Sequence, residues 1–303
     1  MIMELFAKKT KRFRYFVGLF LFSVIALILI GSMVRSTGAG LGCPDWPRCF
    51  GLWVPPTSVY QLPADYLLHY DGIPFNALKT WTEYLNRLSG VVVGILSTIL
   101  LIWGLRFWRL KPQWTWLAFF SWLLVGVNGG IGAWVVSSRL VPMVISLHMV
   151  LAMLLVVVVS RLYWVLGAGH SETVSPARAR YYWLFVALFL IQMVLGIELR
   201  QLMDLANQAG LARIEWLPSA GVMFWIHRSF SWAVLLSAGL LLWTADATRK
   251  RLARGVWIMV ILQMLTGVGL AYSGMLFAMQ PLHLVLSAGV IVCLVGIKTD
   301  RQS

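Results

Sequence analysis

The chain has 303 residues, 60% of them hydrophobic and only 12% charged, with a mean hydropathy of +0.80. A soluble domain holds about 45–50% apolar and about 25% charged residues, so this composition excludes a soluble globular protein, a disordered chain and a disulfide-rich secreted scaffold, and indicates a polytopic helical membrane protein. The net charge of +14 raises the question of nucleic-acid binding, which the placement of the charges decides.

The first charge-free window, Tyr15–Val34, is about as long as one bilayer-spanning helix. Lys8, Lys9, Lys11, Arg12 and Arg14 precede it, so the positive-inside rule places the N-terminus in the cytoplasm. Its apolar run of about 20 residues is too long for a signal-peptide core, and no long transit peptide precedes it, which favours a bacterial plasma membrane. A long outer loop follows, about Ser36–Leu78. In it Cys43 and Cys49 flank Pro-Asp-Trp-Pro-Arg; a close cysteine pair on the oxidising side suggests a disulfide, structural by default, with redox activity as the alternative. Trp46 and Trp53 are interfacial anchors or a lid, and His69 is a solvated loop residue.

The second span, Leu88–Leu105, is preceded by Glu83, Asn86 and Arg87. Glu83 and Asn86 are three residues apart and share a helix face. A carboxylate at a membrane interface acts as a general base or stabilises positive charge; the plain alternative is a helix-start residue satisfied by backbone N–H groups. The third and fourth spans are Pro112–Ser138, with Gly130 and Gly132, and Leu140–Ser160, with His148. A polar stretch, Gly167–Ala179, contains His170, also expected to be solvated. The fifth span is Tyr181–Ile197; a second long outer loop, about Gln201–Val222, then leads to His227, Arg228 and the sixth span, Ser229–Ala245.

The last window, Gly255–Ile297, holds 43 residues without a charge. As one helix it would be roughly 65 Å long, twice a hydrocarbon core of about 30 Å. Gly274 and Pro281 offer a break, giving a seventh span with Gly267 and Gly269 and an eighth with His283 and Cys293, the last a packing residue. Eight spans return the C-terminus to the cytoplasm. Seventeen of the 25 basic residues then lie inside, against 4 of the 11 acids. Topology accounts for the basicity, and nucleic acid is not needed.

The two halves resemble each other. Gly31 precedes Arg35 by four residues, and Gly196 precedes Arg200 by four. Asn86-Arg87 on the second helix corresponds to His227-Arg228 on the sixth. Gly132 precedes His148 by 16 residues, and Gly267 precedes His283 by the same 16. The pattern predicts two all-α four-helix bundles, 1–165 and 166–303, related by a pseudo-twofold axis along the membrane normal. It places His148, His227, His283 and Asn86 at one depth near the outer face. Intramembrane ionisable residues are costly and usually functional. A lone histidine reads as a hydrogen-bonded packing residue, but two imidazoles facing across a bundle form a b-type haem site, and His227 with His283 is that pair. Zinc would want further ligands at close spacing. Arg87 and Arg228 pair with haem propionates or anchor the interface.

The stretch Gly31-Ser-Met-Val-Arg35-Ser-Thr-Gly-Ala-Gly-Leu-Gly-Cys43-Pro-Asp-Trp-Pro-Arg-Cys49-Phe-Gly51 resembles the first-loop signature of the haem A synthase family, and Glu83-Tyr-Leu-Asn86-Arg87-Leu-Ser-Gly90 is similar to its Glu-x-x-His-Arg motif. His148, His227-Arg228 and His283 fall where that family's other haem ligands lie, and the resemblance covers essentially the whole chain. It implies oxidation of the C8 methyl of haem O to a formyl group by successive hydroxylations, supplying haem A for cytochrome oxidase. It also implies a haem B cofactor between His227 and His283 in the second bundle, and substrate haem in the first bundle with His148, Asn86 and Arg87, Glu83 lying beside the reacting methyl. A Cys43–Cys49 disulfide, a homo-oligomer and contact with haem O synthase and oxidase assembly are further implications.

This chain departs from the family pattern in two ways. Asn86 stands where the family usually has His; amide is a poor iron ligand, so His148 is left as the one strong protein ligand there. A second cysteine pair, found in some members in the later loop, is missing. The alternatives are a bis-His cytochrome that relays electrons, a thiol–quinone oxidoreductase, and a haem transporter or chaperone. Glu83 and the loop signature argue against the first, and the single outer cysteine pair against the second.

Overall fold

A computed structural model of the chain describes residues 2–167, 176–272 and 278–298. Among them eight helices are long and apolar enough to cross a membrane: α1 (Ile2–Ser36), α2 (Ala77–Leu105), α3 (Pro112–Ser137), α4 (Pro142–Val165), α5 (Pro176–Gln208), α6 (Val222–Thr244), α7 (Lys250–Tyr272) and α8 (Met279–Lys298). Proline opens α3, α4 and α5, where its missing N–H costs nothing and its fixed φ already suits a helix. Asn76 caps α2, its side chain accepting from Lys79 N–H at 3.0 Å. Only between 17% and 39% of each apolar window is buried within the protein. The remaining apolar surface, including Phe22, Val91, Ile95, Leu236 and Trp243, suits hydrocarbon as solvent, and the helices satisfy their backbone groups internally.

The helices outrun the charge-free windows. α2 begins at Ala77, so Glu83, Asn86 and Arg87 are helical, and α6 begins at Val222, so His227 and Arg228 are too. A charge-free window measures hydrocarbon thickness; a helix continues past it wherever its charged side chains find partners. α5 shows how: Arg200 pairs with Asp204 one turn on at 2.9 Å, and the helix runs to Gln208. The loop expected from Gln201 therefore starts eight residues later. α7 ends at Tyr272 and α8 restarts at Met279 with Pro281 in its first turn; Gly274, His170 and Arg301 lie outside the described residues.

The chain packs as two compact units, an N-terminal one of Phe16–Val159 and a C-terminal one of Met1–Tyr15 with Ser160–Ser303. In the first, α2 packs on α3, with Val93, Leu100 and Ala118 buried. In the second, α5 packs on α6, α6 on α7 and α7 on α8, around Phe185, Val234, Ala238, Val256 and Val290.

Asp246, between α6 and α7, accepts from Arg249 N–H at 2.8 Å, Thr248 Oγ1 at 2.6 Å, Arg249 Nη1 at 2.5 Å and Arg178 Nη1 at 3.1 Å. Burial alone raises this carboxyl, but the hydrogen bonds from Thr248 and Arg249 and the Arg249 charge outweigh it and hold it at about 2, below its ordinary 3.8. A depressed folded value stabilises the fold above pH 3.8, and that contribution is lost as pH falls through about 2. The difference in melting temperature between the parent and Asp246→Asn should therefore shrink over that window. A difference that does not change with pH would show that the carboxylate is not the origin.

Candidate functional site

One local arrangement recurs in four helix pairs. A Cβ placed on Gly31 of α1 would stand 3.5 Å from Asn86 Oδ1 on α2, and one on Gly132 of α3 would stand 3.5 Å from His148 Cε1 on α4. One on Gly196 of α5 would be 3.1 Å from His227 Cε1 on α6, and one on Gly267 of α7 would be 3.8 Å from His283 Cε1 on α8. Each odd helix thus offers a bare backbone patch against which the polar side chain of the next helix lies. Small residues at helix contacts permit this approach.

The ring nitrogens differ in their partners. His148 Nδ1, His227 Nδ1 and Asn86 Oδ1 are buried without a hydrogen-bond partner. A buried polar atom left so costs about 1–3 kcal/mol, which a bound group can recover. His283 is held: its Nδ1 lies 2.9 Å from Thr266 Oγ1, and that hydroxyl lies 2.9 Å from the Gln263 carbonyl. The hydroxyl proton belongs to the carbonyl, so Oγ1 accepts from Nδ1–H and Nε2 keeps the lone pair that binds a metal. Gln192 Nε2 donates to the His227 carbonyl at 3.1 Å. Two such imidazoles, one with its tautomer fixed, fit the iron of a b-type haem. In the N-terminal unit the donor set is one imidazole, His148, and one amide, Asn86.

Thr266 and Gln263 carry no motif in the sequence. Gln263 stands four residues before Gly267, as Asn128 does before Gly132, so aligning the halves residue by residue would have exposed Gln263, though not Thr266, which falls opposite Ile131. Arg35 and Arg200, the other repeated pair, turn towards the same places. Arg35 Nη1 lies 2.7 Å from Met149 Sδ, beside His148, and Arg200 Nη1 donates to Gln280 Oε1 at 2.9 Å, one turn before His283.

Glu83 is only 3% exposed. Its Oε2 accepts from Cys43 N–H at 2.8 Å and its Oε1 from Arg87 Nη2 at 2.5 Å. The backbone N–H it takes comes from the loop rather than from its own helix start. Arg87 also donates to the carbonyls of Cys43 at 2.8 Å, Asp45 at 2.7 Å and Arg48 at 2.9 Å. The loop fits this clamp for local reasons. Cys43 and Cys49 are joined, S–S 2.02 Å. Asp45 accepts from Phe50 N–H at 2.6 Å and Gly51 N–H at 2.8 Å. Thr80 Oγ1 donates to the Gly42 carbonyl at 2.8 Å. A side chain at Gly42 would collide with the Lys79 and Thr80 backbone, so only glycine permits the approach to α2. Phe50, with its edges against Tyr66, Tyr70 and Phe75, centres a small core around the disulfide.

The remaining candidates are plainer. Arg228 is exposed and lies over the Trp225 ring at 5.2 Å. Trp46 and Trp134 wall an open cleft of about 370 Å³ beside Asp45, and Arg48 lies over Trp53 at 5.5 Å. His69 is exposed and Cys293 is half-buried. Mass spectrometry of protein isolated without reductant should find no free thiol at Cys43 or Cys49; two free thiols would contradict the bridge.

Residues 14–295 match the model of the COX15-CtaA family, described as cytochrome oxidase assembly protein. The chain belongs to this family. It is 34% identical over 125 residues to a heme A synthase of Shewanella oneidensis, a stretch covering 41% of this chain and 37% of the relative. It is 27% identical over 210 residues to one of Allorhizobium ampelinum, 63% of this chain and 57% of the relative. It is 28% identical over 310 residues to one of Sphingopyxis alaskensis, 88% of this chain and 85% of the relative. The match thus spans less than two thirds of the length of the first two relatives and most of the third. With bacterial relatives and eight apolar helices, this COX15-CtaA member is a multi-pass protein of the bacterial plasma membrane.

Proposed function

We propose that this chain is a haem A synthase, an oxidoreductase that converts the C8 methyl of haem O to a formyl group by successive hydroxylations, for use in cytochrome oxidase. Its membership of the COX15-CtaA family and its relatives named heme A synthase support this reading. The observation that carries it is the fourfold glycine-backed arrangement, in which three imidazoles and one amide each lie against a glycine of the preceding helix, with Glu83, bound by Arg87 and the Cys43 N–H, one turn from Asn86 on α2.

On this reading His227 and His283 hold a haem B, which supplies one-electron transfer when bound. Thr266 fixes the His283 tautomer, and Arg228 meets a propionate at the helix end. The N-terminal unit takes haem O as substrate, with His148 as iron ligand. Glu83, paired with Arg87, stabilises positive charge developing at the methyl carbon or takes its proton. Arg87 serves that site chiefly by fixing Glu83 and the loop, since four of its five donors are committed there. By the positive-inside rule both termini face the cytoplasm, so the haem sites and the cysteine loop face outwards. Haem O synthase is the supplier of substrate, oxidase assembly the consumer of product, and the enzyme works as a homo-oligomer in lipid.

The test is expression with a haem O source in a host that makes no haem A, then pigment extraction and chromatography. Haem A is expected. Haem O recovered unchanged, with low-spin haem present in the protein, would mean an electron-relay cytochrome or a carrier instead.

A further inference from the structure

The four equivalent positions are chemically unequal. Three are imidazoles and the fourth, Asn86, is an amide, though its glycine contact matches that of His148 at 3.5 Å. Haem iron takes imidazole, thiolate, thioether or phenolate as strong protein ligands; a neutral amide oxygen is none of these, and the Asn side chain is shorter than that of His. Several other side chains of this unit that could serve as ligands are engaged elsewhere. Both Glu83 oxygens are hydrogen-bonded to Cys43 and Arg87, Cys43 is bridged to Cys49, Met149 sulfur lies against Arg35, and the Tyr84 hydroxyl donates to the Trp53 carbonyl at 2.9 Å. Asn86 Oδ1 is itself buried and without a partner.

We propose that the N-terminal unit leaves one axial position of its haem open beside Asn86, and that this position binds a small neutral diatomic ligand of the dioxygen and carbon monoxide class. The proposal rests on the reading that this unit takes up a haem through His148. It sets the two units apart: the C-terminal unit, with two imidazoles, is closed to exogenous ligands, and the N-terminal unit is open to them. An amide is suited to such a place, because its Nδ2–H group can donate to a small ligand without competing for the metal.

The probe is carbon monoxide, added to full-length protein in detergent after reconstitution with iron protoporphyrin IX and reduction. The parent is expected to hold two haems per chain and to bind about one carbon monoxide per chain. Asn86→His should lower that binding at least tenfold and convert a high-spin ferric signal to a low-spin one. Asn86→Leu should still bind carbon monoxide, with a shifted C–O stretching frequency. His148→Ala should lose one of the two haems together with the carbon monoxide response. Two haems in the parent without carbon monoxide binding would overturn the open position and leave the proposed function standing. Binding that survives Asn86→His, or a stretch unmoved in Asn86→Leu, would also overturn it. A single haem per chain, kept in His148→Ala and lost in His227→Ala, would instead remove the haem of the N-terminal unit, and the open position with it.

Discussion

Replacing His227 or His283 with Ala is expected to abolish the low-spin haem signal of the C-terminal unit. The two imidazoles come from α6 and α8, each against a glycine of the preceding helix, and an alanine supplies no donor. The replacements should not be equivalent. His283 is oriented by Thr266, so its loss also strands the Thr266 hydroxyl, which keeps only its bond to the Gln263 carbonyl. His227 has a bare Nδ1, and its loss strands nothing comparable. Spectra of the two variants, read alongside protein yield, check this. A low-spin haem that survives the double substitution would mean that other residues ligate it.

Glu83→Gln is expected to lower haem A production by about 10²–10⁴-fold, the range for losing a positioned acid or base, while leaving haem in the C-terminal unit in place. The carboxylate accepts from Cys43 N–H with one oxygen and from Arg87 with the other. A glutamine has only one acceptor oxygen, so its amide group must face one of these donors with a donor of its own. One half of the clamp is lost along with the charge. Arg87→Lys keeps the charge but offers no fork able to serve three carbonyls and a carboxylate, so the loop should become more sensitive to protease. Measuring haem A yield, haem content and proteolysis together separates chemistry from folding. Normal haem A yield from Glu83→Gln would remove Glu83 from the reaction.

The eight spans were legible because hydrocarbon imposes a length and an absence of charge that hydropathy reads directly. Their ends were not, since Arg200 and Asp204, or Glu83 and Arg87, cancel one another within a helix, and a charge count cannot see the pairing. The glycines and histidines of the repeat could be read from spacing alone. Thr266 could not, because a threonine one residue before a glycine carries no signal until the facing helix brings His283 to its hydroxyl. The loop core was equally hidden: Phe50, Tyr66, Tyr70 and Phe75 follow no helical or strand period, and only the folded loop brings them together. The sequence offers Arg87 a propionate or the interface as partner, whereas most of its donors are spent on backbone carbonyls of a loop some 40 residues earlier in the chain.

The clamp around Arg87 also bears on biogenesis. The ribosome makes residues 42–51 before residues 80–87, yet the loop's backbone oxygens and the Cys43 N–H are completed only by α2 side chains. The loop therefore waits, unfinished, until the second transmembrane segment has been inserted, and placement of Glu83 becomes a late event in maturation. A truncated nascent chain ending before α2 would carry the same loop sequence without the partner that gives it shape.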